Sequence, residues 1–266
     1  KAKKLIRVAK KTGADYAKFQ IYDVSELVTN KAKKAKYQSN KMGKSMSQKE
    51  MLEKYQLSSL QINQLNKYCS KIGIKFLASI FDEKSLKLLN KINVDFIKLP
   101  SSEITNYFLL KKIQKTSRKP IIFSTGMSNS LEINQAYKIL NKNRNLTIPM
   151  YCVSSYPTKI NEIKIQKMIN LKKKYKLFGF SDHTKTFEAA ILAVWNGACI
   201  IEKHLTYDNK AKGPDHEASL NPIQFTKFVE VLRNTEILKT VKIKNKEESN
   251  KKFVRKFLVA KKKILK

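Results

Sequence analysis

Short runs of apolar, β-branched and aromatic residues recur along the chain at residues 14–22, 75–81, 96–101, 120–125, 148–153, 177–182 and 198–205. Between them the apolar positions change to the 3.6-residue period of a helix. Leu5, Ile6, Val8 and Ala9 show it, as do Leu86, Leu88 and Leu89; Leu109, Leu110 and Ile113; Ile133, Ala136 and Ile139; and Ala189, Ile191, Leu192 and Val194. Asp82, Asn106 and Ser130 stand where an N-cap oxygen would satisfy free helix amides. Gly13, Gly73 and Gly197 each close a helical stretch just before the next strand, the left-handed position beyond a helix C-terminus. Strand–helix alternation at this spacing predicts an α/β fold with a parallel sheet, either doubly wound or closed as a (β/α)₈ barrel. Seven strands are visible, and the chain opens on a helix, which is unusual for a barrel. One connection is long, polar and lysine-rich, residues 23–47. A loop of that length in a compact domain is usually functional. After a helix from Pro222 to about Leu238, the charged stretch TVKIKNKEESNKKF reads as a linker.

Composition narrows the class. With 266 residues and 42% hydrophobic content the chain can bury a sizeable core and is too apolar for a disordered one. No apolar run nears the roughly 18 residues of a membrane span, and the first residues lack a secretory h-region. Three cysteines without CxxC spacing argue against a disulfide framework or a zinc site, and point to a reducing, cytoplasmic setting. The formal charge of +34 invites a nucleic-acid reading. Against it, only 5 of the 55 basic residues are Arg, the side chain that reads phosphates and bases bidentately. The lysines are also spread over almost every segment. Nucleic acid is therefore disfavoured as the main partner, and the lysines outside the strand ends read as solvated surface.

The strand ends carry the chemistry. In a parallel barrel the reacting groups lie at the carboxyl ends of the strands. Here those ends supply Lys18 and Gln20, then Ser79, then Lys98, Ser101 and Glu103, then Ser124, then Ser154 and Tyr156. The last two supply Ser181 and His183, and Glu202 and His204, with Asp215 and His216 just beyond. Neighbouring strands are about 4.8 Å apart, so His183 and His204 could share one divalent metal, with Glu202 and Asp215 nearby. Lysines facing a barrel mouth are costly unless an anion joins them, which implies a phosphate- or carboxylate-bearing substrate.

The segments GADYAKFQIY, KFLASIFDEKSLKLL, FIKLPSSEITNYFLLKKI, KPIIFSTGMS, YCVSSYPT, FGFSDHT and IIEKHLTYDNKAKGPDHEASLNP, in this order, resemble the sialic acid synthase family of phosphoenolpyruvate-condensing enzymes. The resemblance implies a (β/α)₈ barrel and a transferase that joins phosphoenolpyruvate to an N-acetylhexosamine such as N-acetylmannosamine. The product is a nine-carbon α-keto acid plus phosphate, released by C–O cleavage. It implies a divalent ion, Mn²⁺ first and Mg²⁺ or Co²⁺ as alternatives, on His183 and His204. Phosphoenolpyruvate contacts fall on Lys18, Ser79, Lys98, Ser101, Ser124 and Ser181, with a further substrate contact at Ser154. Gln20, Glu103, Tyr156 and Asp215 match sugar-side or acid–base positions. Ser79–Ile80 stands where many relatives have Thr-Pro or Ser-Pro, and Ser154 where some have Asn. The resemblance also places a first barrel strand before Lys1, a barrel over residues 1–238, and a linker with the start of a small antifreeze-like domain over 239–266. It implies a homodimer for the full-length protein. Two alternatives remain: a synthase for a bacterial analogue (legionaminic or pseudaminic acid), with the sugar chosen by the 23–47 loop, or an inactive barrel remnant or basic nucleic-acid-binding protein.

Overall fold

All seven strands form: β1 (Tyr16–Ile21), β2 (Lys75–Ile80), β3 (Ile97–Leu99), β4 (Ile121–Ser124), β5 (Thr147–Cys152), β6 (Gly179–Asp182) and β7 (Ile200–Lys203). They make one sheet in the order β1-β2-β3-β4-β5-β6-β7, parallel at every step. The computed structural model describes every residue except 30–31, 33–46, 143–145, 212, 214, 241–249, 252, 257, 259–260 and 263–266. The 23–47 loop therefore lies largely outside the described residues, as does most of the linker.

The helices are α1 (Ala2–Lys11), α2 (Val24–Leu27), α3 (Gln48–Tyr55), α4 (Ser59–Ile72), α5 (Glu83–Asn90), α6 (Tyr107–Thr116), α7 (Ser130–Leu140), α8 (Ile165–Lys174), α9 (Glu188–Trp195) and α10 (Pro222–Thr240). Asp82 and Asn106 cap α5 and α6 as expected, accepting from Ser85 N and Leu109 N. The cap of α7 is Asn129 rather than Ser130. Its side chain takes the Leu131 and Glu132 amides, while the Glu132 carboxylate returns to the Asn129 amide. That reciprocal pair satisfies more free donors than a serine one residue later could. Gly13, Gly73 and Gly197 all have positive φ. The helix starting at Pro222 runs to Thr240, two residues past the expected domain edge.

Burial along the strands shows where the sheet ends. Every residue of β3, β4, β5 and β6 is buried, as expected for strands covered on both faces. In β1 the burial is broken, and in β7 all four residues are only half-buried. The sheet curls into a half-barrel of the TIM-barrel kind, and β1 and β7 are its two edges. One apolar cluster fills the β1–β4 side with α1 and α4–α7; a second fills β5–β6 with α8–α10. Between the edges lies a cavity of about 920 Å³, lined by Leu5 of α1, Ala17 of β1, Ile201 of β7, and Phe228 and Leu232 of α10. Its inner end opens among Lys18, Lys98, Glu202 and His204.

Candidate active site

Strand parity sorts the residues at the tips of β6 and β7. Ser181 pairs in register with Glu202, and Asp182 with Lys203. Successive side chains point to opposite faces, so Ser181, His183, Glu202 and His204 share the inner face. The structure brings them together there. Ser181 Oγ donates to Glu202 Oε1 (2.8 Å), and the His183 and His204 rings are 5.4 Å apart, centroid to centroid. The Tyr156 ring stands 4.4 Å from His183 and 5.9 Å from His204.

The lysines converge from the other strands. Lys98 is 2% exposed. Its Nζ donates to Ser124 Oγ on β4 (2.5 Å) and to the carbonyl of Leu99 (3.3 Å), and lies 3.7 Å from Glu202 Oε2. Lys18 reaches from β1 across the open edge to Glu202 Oε1 at 2.7 Å. Glu202, expected near the histidines, is also the counter-ion of both lysines, so part of the anion that their burial demands is supplied by the chain itself. Burial alone would raise the Glu202 carboxyl, but Lys18 and Lys98 outweigh it and hold the group well below the usual range. Burial lowers Lys98, with Glu202 opposing.

Ser79, buried on β2, is the register neighbour of Lys98. Ser101 Oγ accepts from the Gly126 amide (3.0 Å) and lies 3.2 Å from Cys152 Sγ. A Cβ on Gly126 would stand 2.3 Å from Ser154 Oγ and 2.8 Å from Ser101 Oγ, so only glycine lets the two serines close over this turn. The next residue, Met127, holds φ 62°, a conformation few side chains adopt outside functional turns. Gln20 is exposed at the end of β1, and both it and Asp215 line the cavity mouth. Glu103 is buried on the short turn Ser101–Glu103 and accepts from Asn106 Nδ2 (2.8 Å). His216 pairs with Thr206 Oγ1 (2.6 Å).

Three participants escaped the sequence reading. Cys152 sits beside Ser101, and Tyr55 of α3 lines the same mouth as Asp215. Lys203, expected as surface like most lysines, has a side chain 1% exposed and paired at 2.7 Å with Asp182, itself 0% exposed. The signal was available, because Asp182 and Lys203 each precede a histidine on neighbouring strands.

The histidines suit a metal in part. His183 Nδ1 lies 2.6 Å from the carbonyl of Val153, which can only accept, so the ring proton is on Nδ1. Nε2 then carries a lone pair. Its polar neighbour, Ser181 Oγ at 3.3 Å, has already given its proton to Glu202. Burial lowers both His183 and His204 to about 4, so both are neutral at pH 7, the form a metal requires. An imidazole whose second nitrogen is tied to a carbonyl is how metal-ligating histidines are commonly oriented. Among the described residues no group of three or more His, Cys, Asp or Glu side chains could hold a metal. Nor is any helix among them long and apolar enough to cross a membrane.

Comparison with known proteins shows the family. The pattern of the NeuB family matches residues 5–244. The chain is 41% identical to N,N'-diacetyllegionaminic acid synthase of Campylobacter jejuni, over 100% of this chain and 81% of that protein. It is 33% identical to human N-acetylneuraminate-9-phosphate synthase over 88% of this chain, spanning 66% of the human protein. Among solved structures, N-acetylneuraminic acid (sialic acid) synthetase from Leptospira borgpetersenii, in complex with citrate, superposes with a TM-score of 0.80. It is 28% identical, covering 95% of this chain and 84% of that one. The chain therefore belongs to the NeuB family, and with it to the transferase-type sialic and legionaminic acid synthases.

Proposed function

We propose that this chain condenses phosphoenolpyruvate with the open-chain aldehyde of an N-acetylated amino sugar, giving a nine-carbon α-keto acid and phosphate. The observation that carries the reading is the juxtaposition of two neutral histidines 5.4 Å apart with the buried Lys98–Ser124–Glu202 cluster. Lys18 and Lys98 bind the phosphate and carboxylate of phosphoenolpyruvate, exchanging part of their hold on Glu202 for the incoming anion. Ser79, Ser101, Ser124, Ser154 and Ser181 orient it. Tyr156, Gln20 and Asp215 face the sugar, and Asp215 or Glu103 moves the proton when water adds at C2. His183 and His204 hold the divalent ion, Mn²⁺ before Mg²⁺ or Co²⁺, which supplies Lewis-acid polarisation of the aldehyde. The open edge between β1 and β7 takes an eighth strand that would close the barrel. The reaction belongs in the cytoplasm, with a homodimer as the working unit of the full-length protein.

The 41% identity to a legionaminic acid synthase, against 33% to the human enzyme, supports a diacetamido sugar over N-acetylmannosamine. Phosphate release from phosphoenolpyruvate, measured with each sugar, tests both levels. Faster turnover of the diacetamido sugar supports the finer reading. No sugar-dependent release with either would remove the reaction itself.

A further inference from the structure

Lys203 and Asp182 form the most completely enclosed ion pair among the described residues. Lys203 Nζ lies 2.7 Å from Asp182 Oδ2, 2.6 Å from the Thr184 carbonyl, 3.2 Å from the Thr186 carbonyl and 3.4 Å from Thr184 Oγ1. It also stands 5.3 Å from the centre of the Phe228 ring of α10. Asp182 spends its second oxygen on the Thr184 amide (2.9 Å). Both neighbours of His183 in the chain, Asp182 and Thr184, are thus gathered by one ammonium group on β7. That group belongs to the residue immediately before His204.

A buried ion pair is weak evidence of stability, because apolar residues of similar volume often do as well or better. What it offers here is direction. Alternation along β6 and β7 puts the Asp182–Lys203 rung on the outer face, between two inner rungs, Ser181–Glu202 and His183–His204. With Asp182 and Thr184 fixed, the backbone of His183 has little freedom, and its carbonyl is held by the Thr158 amide (2.9 Å). The ring is then aimed with Nδ1 on Val153 and Nε2 3.3 Å from Ser181 Oγ, its centre 5.4 Å from that of the His204 ring.

We propose that Lys203, with Asp182, is a positioning residue that sets the orientation and spacing of His183 and His204. The inference rests on the reading that this pair holds a divalent ion. It does so from the far face of the sheet.

The test is the paired variant Asp182→Asn/Lys203→Met, which removes both charges and leaves no unpaired one buried. Mn²⁺ binding to the protein, followed by electron paramagnetic resonance, should weaken about 10- to 100-fold, the range for outer-shell partners of metal ligands. The kcat should fall with it while KM for phosphoenolpyruvate holds. In the metal-free protein the downfield Nδ1 proton resonance of His183 should shift or broaden. If the paired variant does not fold, Asp182→Asn alone should still weaken Mn²⁺ binding by about threefold or more. A folded variant of either kind with wild-type Mn²⁺ affinity and an unchanged His183 resonance overturns the proposal. A wild-type protein that binds no Mn²⁺ would instead defeat the metal reading, and the resonance alone would then decide the positioning claim.

Discussion

Glu202 and Lys203 are adjacent on β7 and carry opposite fates. Glu202 faces inward, 15% exposed, to Lys18 and Lys98; Lys203 faces outward, 1% exposed, to Asp182. The inner cluster has one well-wrapped lysine and one reached from an open edge, with a side chain 24% exposed. Its hydrogen bonds are shared between strands that differ in access to solvent, so an anionic ligand can compete for them. The outer pair has each polar partner supplied by the chain. Two lysine–carboxylate clusters on the same strand therefore differ in what their charges are free to do. The inner one is chemistry in reserve, and the outer one is scaffolding for the histidines beside it.

Removing one charge from each pair should separate these roles. Lys203→Met leaves Asp182 buried without its partner, and should cost about 3–5 kcal/mol of stability. A shift in the urea midpoint measures it; a shift under 1 kcal/mol would mean that the outer pair is not the rigid element described. Lys98→Ala should instead act mainly on turnover, lowering kcat/KM for phosphoenolpyruvate by about 10²–10³-fold, the scale of one electrostatic donor lost. Steady-state phosphate release reads this out, and unchanged kinetics would take Lys98 out of the anion cradle.

Gly126→Ala sharpens the inner site further. The new methyl would press on Ser154, Ser101 and Cys152 at 2.3–2.9 Å, forcing the turn away. Overpacking of this kind costs about 1–3 kcal/mol, visible as a lower melting temperature together with weaker phosphoenolpyruvate binding. The smallest effect belongs to an exposed pair. Lys84 first, then Ser25, hold the Asp23 carboxyl down to about 2 from its ordinary 3.8. A depressed carboxylate stabilises the fold above its unfolded pKa, and that contribution is lost as pH falls from about 4 through 2. Asp23→Asn should therefore lower stability slightly at pH 7, where the contribution is fully present, and leave it unchanged below about pH 2, flattening the acid limb between.

The seven strands were legible because period and length both change cleanly between strand and helix; residues 121–124 and 179–182 could be read in no other way. The histidine pair was legible for a related reason, since two histidines at the tips of consecutive parallel strands must be neighbours. The hold of Lys18 on Glu202 was not legible, because it lies across the open edge, a contact that no local pattern announces. Lys203 was hidden by composition: among 55 basic residues a single buried lysine has no distinguishing neighbourhood until strand parity is applied. The setting of Glu103 was less legible. Its short turn follows a three-residue strand, too brief for parity to say which way a side chain leaves it.

The most direct measurement is phosphate release from phosphoenolpyruvate by the wild-type chain and by His204→Ala, with an N-acetylated amino sugar, with Mn²⁺ and after chelation. The account predicts sugar-dependent release that chelation abolishes, Mn²⁺ restores, and His204→Ala lowers by at least about 10²-fold. Release that survives both chelation and the loss of His204 would contradict it.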